Sequence, residues 1–224
     1  MPDVKPPKRT YRSPRRTAHA AETREAILAA AHQLFLTGGW TNTTIAAVAS
    51  AAGVANETVY ASLGSKAAIL QELVVRAVRA DDRHTPLKHQ QARRAIMQET
   101  DQRRQIALFA TDIVAVLDRV APLMDVVRAA SDANDEIAAL YAQLHHGRLK
   151  NLEWLAGLLL QNGPLRRGLD AKAAGAIIWR LASPELFLLA RRIEKASSEA
   201  YAHWLANTLG LLFLEDAAAG PAAG

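Results

Sequence analysis

Residues 44–63 contain two short helical patterns separated by a glycine, and no other segment constrains the fold as strongly. Apolar residues recur at helical spacing from Ile45 to Ala52, and Thr44 directly before them is a favourable N-cap. Gly53 can adopt a left-handed backbone conformation at little cost, so it is predicted to end the first helix. Two short helices joined by such a turn are typical of a helix-turn-helix, whose second helix enters the major groove of DNA.

The second helical pattern has an apolar and a polar side. Val59 and Leu63 lie four residues apart and are predicted to face inward. Ser65 is a predicted N-cap of the helix that begins at Lys66, and a helix N-terminus favours a phosphate. The polar side chains of this segment are Asn56, Glu57 and Thr58 on the helix, and Tyr60, Ser62 and Lys66 at its end and just beyond.

Several short motifs follow one another in a familiar order between residues 24 and 70. These motifs are Leu34-Phe35, Gly38-Gly39-Trp40, Thr43-Thr44, Ala51-Ala52-Gly53-Val54, Tyr60 and Ser65-Lys66. Their order and spacing resemble the DNA-binding domain of the tetracycline-repressor (TetR) family, over about a fifth of the chain. The resemblance implies an all-α homodimer that binds double-stranded operator DNA and carries a variable C-terminal domain for a small-molecule effector.

Three positions depart from the family pattern. The family usually has an acidic residue near Ala47, a glycine near Glu57 and a phenylalanine at Leu63. Without an acid at Ala47, Thr44 loses its partner for a capping box. Glu57 would repel a phosphate unless it accepts a hydrogen bond from a cytosine amino group. These differences affect the expected operator sequence more than the expected fold.

The resemblance also implies a DNA-binding role for individual residues. Thr44 caps its helix and touches a phosphate, with Ile45 and Ala46 beside it at the DNA. The other implied roles are base-edge contacts by Asn56, Glu57 and Thr58, and backbone contacts by Tyr60, Ser62 and Lys66. Basic N-terminal arms can reach the minor groove or the phosphates, which implies contacts by Arg12, Arg15 and Arg16. The alternative for these arginines is a solvated tail that only raises solubility.

The positive charge of the chain is concentrated at the predicted DNA-binding end. The net charge is +5; residues 1–66 carry eight basic and four acidic residues, and the rest of the chain carries 19 and 18. A polyanionic partner favours this distribution. The chain contains no cysteine, so disulfides, thiolate zinc sites and cysteine nucleophiles are excluded.

No segment is predicted to cross or enter a membrane. The basic N-terminus lacks the apolar run of a signal peptide. A bilayer span needs about 20 predominantly apolar residues, and Arg180, Ser183-Pro184 and Glu185 interrupt the most apolar stretch, Ala173–Ala190. We therefore expect a cytoplasmic protein without a membrane partner.

The pattern along the chain predicts only helices, because no alternating strand pattern or hairpin dipeptide occurs. The expected divisions are a flexible basic arm at 1–18, a DNA-binding domain at 19–66, a helical ligand-binding and dimerisation domain at 67–215, and a disordered tail at 216–224. The predicted helices span about 20–37, 66–81, 88–98, 102–119, 122–130, 134–161, 170–182, 184–195 and 197–214, besides the two of the helix-turn-helix. The polar stretch Asp81–Gln91 is the predicted boundary between domains. Pro122 and Pro184 suit first-turn positions, and Asn162-Gly163-Pro164 is a strong helix stop.

The C-terminal helices offer candidate groups for a ligand pocket and for a dimer interface. The candidate pocket residues are Phe109, Met124, Tyr141, His145, Trp154 and Trp179. For any one of them, an ordinary core position is the alternative. The candidate dimer residues are Ile177, Leu181, Trp204, Leu205, Leu209 and Leu212. Their helices are unusually apolar, as many obligate interfaces are, but the same faces can instead bury within one subunit.

Catalytic and metal-binding motifs are missing from the sequence. The adjacent His145 and His146 point about 100° apart on a helix, so they cannot chelate one metal together. No HExxH, G-x-S-x-G, P-loop or dinucleotide fingerprint is present. We therefore expect neither an enzyme nor a metal or cofactor site. The predicted function is a transcriptional repressor that a small organic effector releases from operator DNA. The alternatives are a constitutive DNA-binding protein and an interaction module whose helix-turn-helix no longer binds DNA.

Overall fold

The computed structural model describes residues 14–80 and 91–215, and the side chains of residues 14–17 are outside that description. The described chain is all α-helical and has no strand, which confirms the predicted fold class. Its helices are α1 (Pro14–Asn42), α2 (Ile45–Ala52), α3 (Asn56–Leu63), α4 (Lys66–Arg79), α5 (Gln91–Gln98), α6 (Gln102–Ser131), α7 (Asp135–Asn162), α8 (Ala171–Leu181), α9 (Pro184–Leu189) and α10 (Ser198–Phe213). The predicted disordered tail and residues 1–13 of the predicted arm lie outside the described residues.

The chain divides into two compact units, residues 1–69 and 70–224. The division falls within α4, a few residues after the predicted end of the DNA-binding domain. It precedes the predicted boundary at Asp81–Gln91, of which residues 81–90 lie outside the described residues, because Leu73 and Val74 of α4 are already buried residues of the second unit.

The first unit is a three-helix domain in which α1, α2 and α3 pack on one another. Its core residues are Ile27, Leu28, Ala31 and Phe35 on α1, Val48 and Ala49 on α2, and Val59 on α3. Helix α1 begins at Pro14, earlier than the predicted start at residue 20, because the fixed φ of proline suits a first helical turn. At its other end Gly39 has φ 66° and ψ −169°, which breaks the helix before Trp40.

The second unit is a helical bundle around α6, which contacts α5, α7, α9 and α10. Two helices were predicted here with a break before Pro122, but α6 continues through this proline. A proline inside a helix costs about 3 kcal/mol through its missing N–H and its steric clash. Val120, Ala121, Leu123 and Met124 are all buried around it. Burying such side chains contributes roughly 1.5–3 kcal/mol for each large one, which outweighs the cost.

One described stretch, Ala171–Glu194, is long and apolar enough by composition to cross a membrane. It is not one continuous α-helix, because α8 ends at Leu181 and the extended Ser183 caps α9 with its hydroxyl. Ile178 and Phe187 lie in the core of the second unit. A backbone break is costly in lipid, so we assign the stretch to the helical bundle.

Candidate nucleic-acid interface and ligand cavity

The turn between α2 and α3 has the geometry that the sequence predicts. The Thr44 hydroxyl accepts a hydrogen bond from the Ala47 amide at 3.0 Å. Gly53 is left-handed, with φ 68° and ψ 32°, and the following amide of Val54 donates to the Ala49 carbonyl at 3.0 Å. The cap and the turn therefore fix where α2 begins and where it ends.

The helix-turn-helix presents most of its predicted DNA-contact residues to solvent. On α3, Asn56, Glu57 and Tyr60 are exposed, the last by 57%, whereas Val59 is fully buried. The other predicted contacts are exposed at Thr44 and Ala46 and half-buried at Ile45, Thr58 and Ser62. The polar side of α3 is thus accessible to a groove, because its apolar side is anchored in the domain core.

Lys66 differs from the prediction that it stands ready for a phosphate. Its Nζ donates to the carbonyl oxygens of Trp40 and Thr43, both at 2.8 Å, and lies 3.9 Å from the centre of the Trp40 ring. Burial lowers the pKa of this ammonium, while the two carbonyls and the ring face stabilise its charged form. Lys66 therefore holds the segment between α1 and α2, and its predicted phosphate contact stays a prediction.

Arg24 is a residue of this interface that sequence reasoning missed. Its guanidinium donates to the carbonyl oxygen of Ser62 at 2.6 Å, which ties α1 to the end of α3. Arg24 and Ser62 are far apart in sequence, and an arginine on the polar side of a helix is usually interpreted as a solvated charge. No local pattern could have revealed this contact.

The structure describes only part of the predicted basic arm. Arg12 lies outside the described residues, and Arg15 and Arg16 belong to the first turn of α1. The residues after Pro14 are therefore helical, and the expectation of a flexible arm up to residue 18 is wrong for them. The predicted DNA contacts of the three arginines stay a prediction.

The second unit contains an apolar cavity of about 260 Å³. Its wall comes from α4, α5, α6 and α7 and is mostly aliphatic and aromatic. Phe109, Met124 and Trp154 belong to this wall, as predicted for a ligand pocket. A concave apolar site with a few polar groups is the usual form of a small-molecule site.

The remaining predicted pocket residues lie elsewhere, so the six do not form one site. Tyr141, His145 and Trp179 line a separate cleft together with Glu185. The Tyr141 hydroxyl donates to Glu185 Oε1 at 2.9 Å, and His145 Nε2 lies 3.3 Å from the same oxygen. Burial alone would raise the pKa of Glu185, but these neighbours hold it down to about 2. This cluster ties α9 to α7 and is a structural link rather than part of the cavity.

The predicted dimer residues divide into buried and exposed groups. Leu205 and Leu209 have no exposed surface, because α10 packs on α6 in the same subunit. Both are therefore core residues, contrary to the prediction. Trp204 and Leu212 are 40% and 42% exposed, and Leu211 on the same helix is 66% exposed. Ile177 and Leu181 on α8 are half-buried.

Comparison with known proteins identifies the helix-turn-helix unit. Residues 27–73 match the family model of bacterial regulatory proteins of the tetR family. Residues 27–73 therefore form a DNA-binding domain of the TetR type. The HTH-type transcriptional repressor BepR of Brucella suis is 47% identical over 64 residues. That alignment covers 28% of this chain and 31% of the length of BepR.

Solved structures extend the likeness from the DNA-binding domain to the whole TetR fold. NalD of Pseudomonas aeruginosa, the secondary repressor of the MexAB-OprM multidrug efflux pump, superposes with a TM-score of 0.66 at 20% identity. The alignment covers 89% of this chain and 99% of NalD. SmeT, solved as a triclosan complex, gives a TM-score of 0.64 at 18% identity and covers 90% and 96%. At these identities the likeness establishes the fold.

The matched family and the relatives BepR and NalD are transcriptional regulators rather than enzymes. Within the described residues, no group of three or more histidine, aspartate and glutamate side chains is placed to hold a metal ion.

Proposed function

We propose that this TetR-family regulator is a homodimeric, cytoplasmic repressor that a small organic molecule releases from operator DNA. The observation that carries this proposal is the apolar cavity of the second unit, whose wall includes residues of α4. Helix α4 begins at Lys66, the residue that holds the segment before α2. A molecule in the cavity therefore acts on the same helix that organises the DNA-binding unit.

The exposed side of α3 supports the DNA-reading part of the proposal. Asn56 and Glu57 have the donor and acceptor groups that distinguish base edges in the major groove. Tyr60 and Thr44 carry hydroxyls at the borders of this face, and these hydroxyls contact the sugar-phosphate backbone of the DNA. Lys66 and Arg24 act indirectly, since they hold the ends of α2 and α3 in place.

A two-fold dimer would present two copies of α3 to the same DNA duplex. Recognition helices on one side of B-DNA meet successive major grooves when they are roughly 34–36 Å apart. Trp204, Leu211 and Leu212 form an exposed apolar stripe on α10. Covering this stripe with a second copy removes apolar surface from water at roughly 25 cal/mol per Å². We therefore assign the interface to this stripe and to the half-buried Ile177 and Leu181 of α8.

Effector release requires that the ligand bind one arrangement of the dimer better than the other. Typical coupling free energies between two sites are about 1–3 kcal/mol, which is sufficient to weaken DNA binding roughly 5- to 150-fold. Two relatives are named as complexes, SmeT with triclosan and a Saccharomonospora viridis regulator with choline. These two complexes support the proposal that this chain also binds a small molecule.

A genome-wide footprint of the purified protein, repeated with a panel of metabolites, tests the proposal. We expect protection of a palindromic site and loss of protection with at least one compound. Protection that no compound relieves would favour the constitutive DNA-binding alternative. The absence of any protected site would favour the interaction module.

A further inference from the structure

Among the residues that the structure describes, the wall of the cavity in the second unit is exposed along one helix only. The lining residues from α4 and α5 are buried or half-buried. Those from α6 are all buried, and they are Phe109, Ile113, Val116, Leu117, Val120 and Met124. The exposed members of the described wall all belong to α7, and they are Gln143, Gly147, Asn151 and Trp154. The cavity therefore has an apolar floor on α6 and an opening to solvent along α7.

The four exposed residues form the rim of this opening. They follow one another at intervals of four, four and three residues, and such positions lie above one another on one face of a helix. A rise of 1.5 Å per residue makes the rim about 16 Å long. Leu144, Leu152 and Leu155 of the same helix also line the cavity, but they are half-buried or buried. The lining face of α7 thus runs from solvent into the interior.

Gly147 leaves a gap in the rim, between the side chains of Gln143 and Asn151. Glycine inside a helix is less favourable than alanine by about 1 kcal/mol. Close packing against another element often accounts for such a glycine, but no atom lies within 4 Å of a Cβ built at Gly147. The missing side chain therefore leaves open space at the mouth of the cavity.

We propose that uncharged apolar molecules enter and leave the cavity through the gap at Gly147, and that the size of the residue at this position limits which molecules pass. The inference rests on the proposed function, because it gives the route of the effector and the residue that selects it. The six floor side chains of α6 carry no charge, hydroxyl or amide. An ion that reached this floor would lose its hydration there without a partner.

The two charged residues of the described wall have partners within the bundle. Arg93 Nε lies 2.7 Å from Asp112 Oδ2. Arg148 donates to the carbonyl oxygens of Trp179 and Ala182, at 3.2 and 2.9 Å. An ion in the cavity would compete with these contacts, whereas an uncharged apolar molecule leaves them in place.

A thiol-labelling experiment tests the route without an identified effector, because the chain contains no cysteine. Val116→Cys places a thiol on the cavity floor, and Val114→Cys places one on the same helix at a buried position outside the lining residues. Benzyl methanethiosulfonate, an uncharged apolar thiol reagent, is added to the full chain, and mass spectrometry measures the labelling rate. We expect Val116→Cys to react at least about tenfold faster than Val114→Cys, whose thiol reacts only after local unfolding.

Two glycine variants assign the route to the gap. Gly147→Leu, combined with Val116→Cys, should slow labelling about tenfold, because entry then requires a local opening of the rim. Gly157→Leu should leave the rate unchanged, since Gly157 lies on the same helix, has equally open space at its Cβ and does not line the cavity. Both changes remove a helical glycine, so a general stabilisation of α7 affects them alike. Val120→Cys, also on the floor, replaces Val116→Cys if that variant does not fold.

Charged reagents of the same chemistry test the selection against ions. The trimethylammonioethyl and sulfonatoethyl methanethiosulfonates carry a cation and an anion. Relative to their rates with glutathione, both should label Val116→Cys at least about tenfold more slowly than the benzyl reagent, because a charge loses hydration at the apolar floor.

The outcomes separate this inference from the proposed function. Labelling of Val116→Cys that Gly147→Leu does not slow, equal slowing by Gly157→Leu, or equally fast labelling by an ion would overturn the inference and leave the effector role of the cavity in place. Labelling of Val116→Cys no faster than that of Val114→Cys would show that the floor is closed to apolar molecules. That result would overturn both the inference and the effector role of the cavity.

Discussion

Lys66 connects the first turn of α4 to the segment that precedes α2. Its ammonium donates to the carbonyls of Trp40 and Thr43, and the Thr43 hydroxyl in turn donates to the Gly39 carbonyl at 2.7 Å. Thr43 is completely buried and directly precedes the N-cap Thr44. We therefore expect Lys66 to affect DNA binding through the position of α2 rather than through the release of counterions.

Lys66→Met should lower both the thermal stability and the operator affinity while leaving the salt dependence of binding unchanged. Two hydrogen bonds from a charged donor are lost, at a cost of about 2–3 kcal/mol. A direct phosphate contact would instead contribute about one unit to the slope of log affinity against log salt. Arg15→Ala is the comparison and should reduce that slope by about one unit. A smaller slope of log affinity against log salt for Lys66→Met would show instead that the Lys66 ammonium contacts a DNA phosphate.

Asn56→Ala should relax the base preference at one position in each half-site, by about 1–3 kcal/mol. The exposed amide has both a donor and an acceptor, so its loss affects one base pair rather than all sequences. Tyr60→Phe removes only a hydroxyl at the border of the helix and should weaken binding to every sequence equally. Competition binding against a library of single-base variants distinguishes the two patterns. An equal loss of affinity for every sequence in Asn56→Ala would show that its amide contacts the DNA backbone rather than a base edge.

At this scale the sequence predicts contacts that are local and misses those that are not. The caps at Thr44 and Ser65 were predictable because a hydroxyl and the amide three residues later form the whole interaction. The contact between Lys66 and the Trp40 carbonyl joins residues 26 positions apart. Only the packing of three helices brings those groups together, and no spacing rule describes it.

Two features of the helices depend on packing between helices and could not be predicted from the sequence: the continuity of α6 and the close approach of α7 and α8. Helix α6 continues through Pro122 because its neighbouring residues are buried on several sides by other helices. Helices α7 and α8 approach closely at Gly175, where an added Cβ would lie 2.7 Å from Glu153 Cα. Both features depend on which helices become neighbours, and periodicity along one helix does not contain that information.

Gly175→Ala should destabilise the fold, and Gly157→Ala should stabilise it, although both glycines lie within helices. The new methyl group at Gly175 meets the backbone of α7, and overpacking of this kind costs about 1–3 kcal/mol. No atom lies within 4 Å of a Cβ at Gly157, so helix propensity alone applies there, worth about 1 kcal/mol in favour of alanine. Urea unfolding of both variants measures the difference. Equal effects would mean that α7 and α8 are farther apart.

Glu185 should make the stability of the second unit sensitive to acid. Burial opposes ionisation, but His145 and Tyr141 hold the pKa of Glu185 at about 2, below its ordinary value of 4.5. A carboxyl with a lowered folded-state pKa stabilises the fold above its unfolded pKa and loses that contribution as the pH falls through the folded one. We expect about 1–2 kcal/mol to be lost between pH 4.5 and 2, after allowance for partial exposure.

Glu185→Gln tests this pH dependence by urea unfolding at several pH values. The variant should be less stable than the wild type at neutral pH, and the two should converge near pH 2. Glu199→Gln, at an exposed position on α10, controls for the loss of one charge. A constant difference between wild type and Glu185→Gln over the whole range would contradict the role of the carboxylate.

The proposed assembly of two subunits is the level of this molecule that the sequence predicts least. The sequence indicates that α10 is apolar on more than one side, but not which side its own subunit covers. The structure gives Leu205 and Leu209 to the core and leaves Trp204, Leu211 and Leu212 at the surface. Single exposed leucines are common on soluble proteins, whereas three large apolar residues along one helix form a surface that a second copy can cover.

Leu212→Glu should convert the proposed dimer into a folded monomer, because it places a charge in the proposed interface without touching the core. Light scattering coupled to size exclusion measures the mass, and operator binding should weaken at the same time, since a monomer meets only one half-site. Leu108→Glu is the matched control, because Leu108 on α6 is 39% exposed and lies outside the proposed interface. Leu209→Glu is unsuitable, since a buried charge would unfold the subunit. A dimer that persists in Leu212→Glu, with Leu108→Glu monomeric, would move the interface from α10 to the surface around α6.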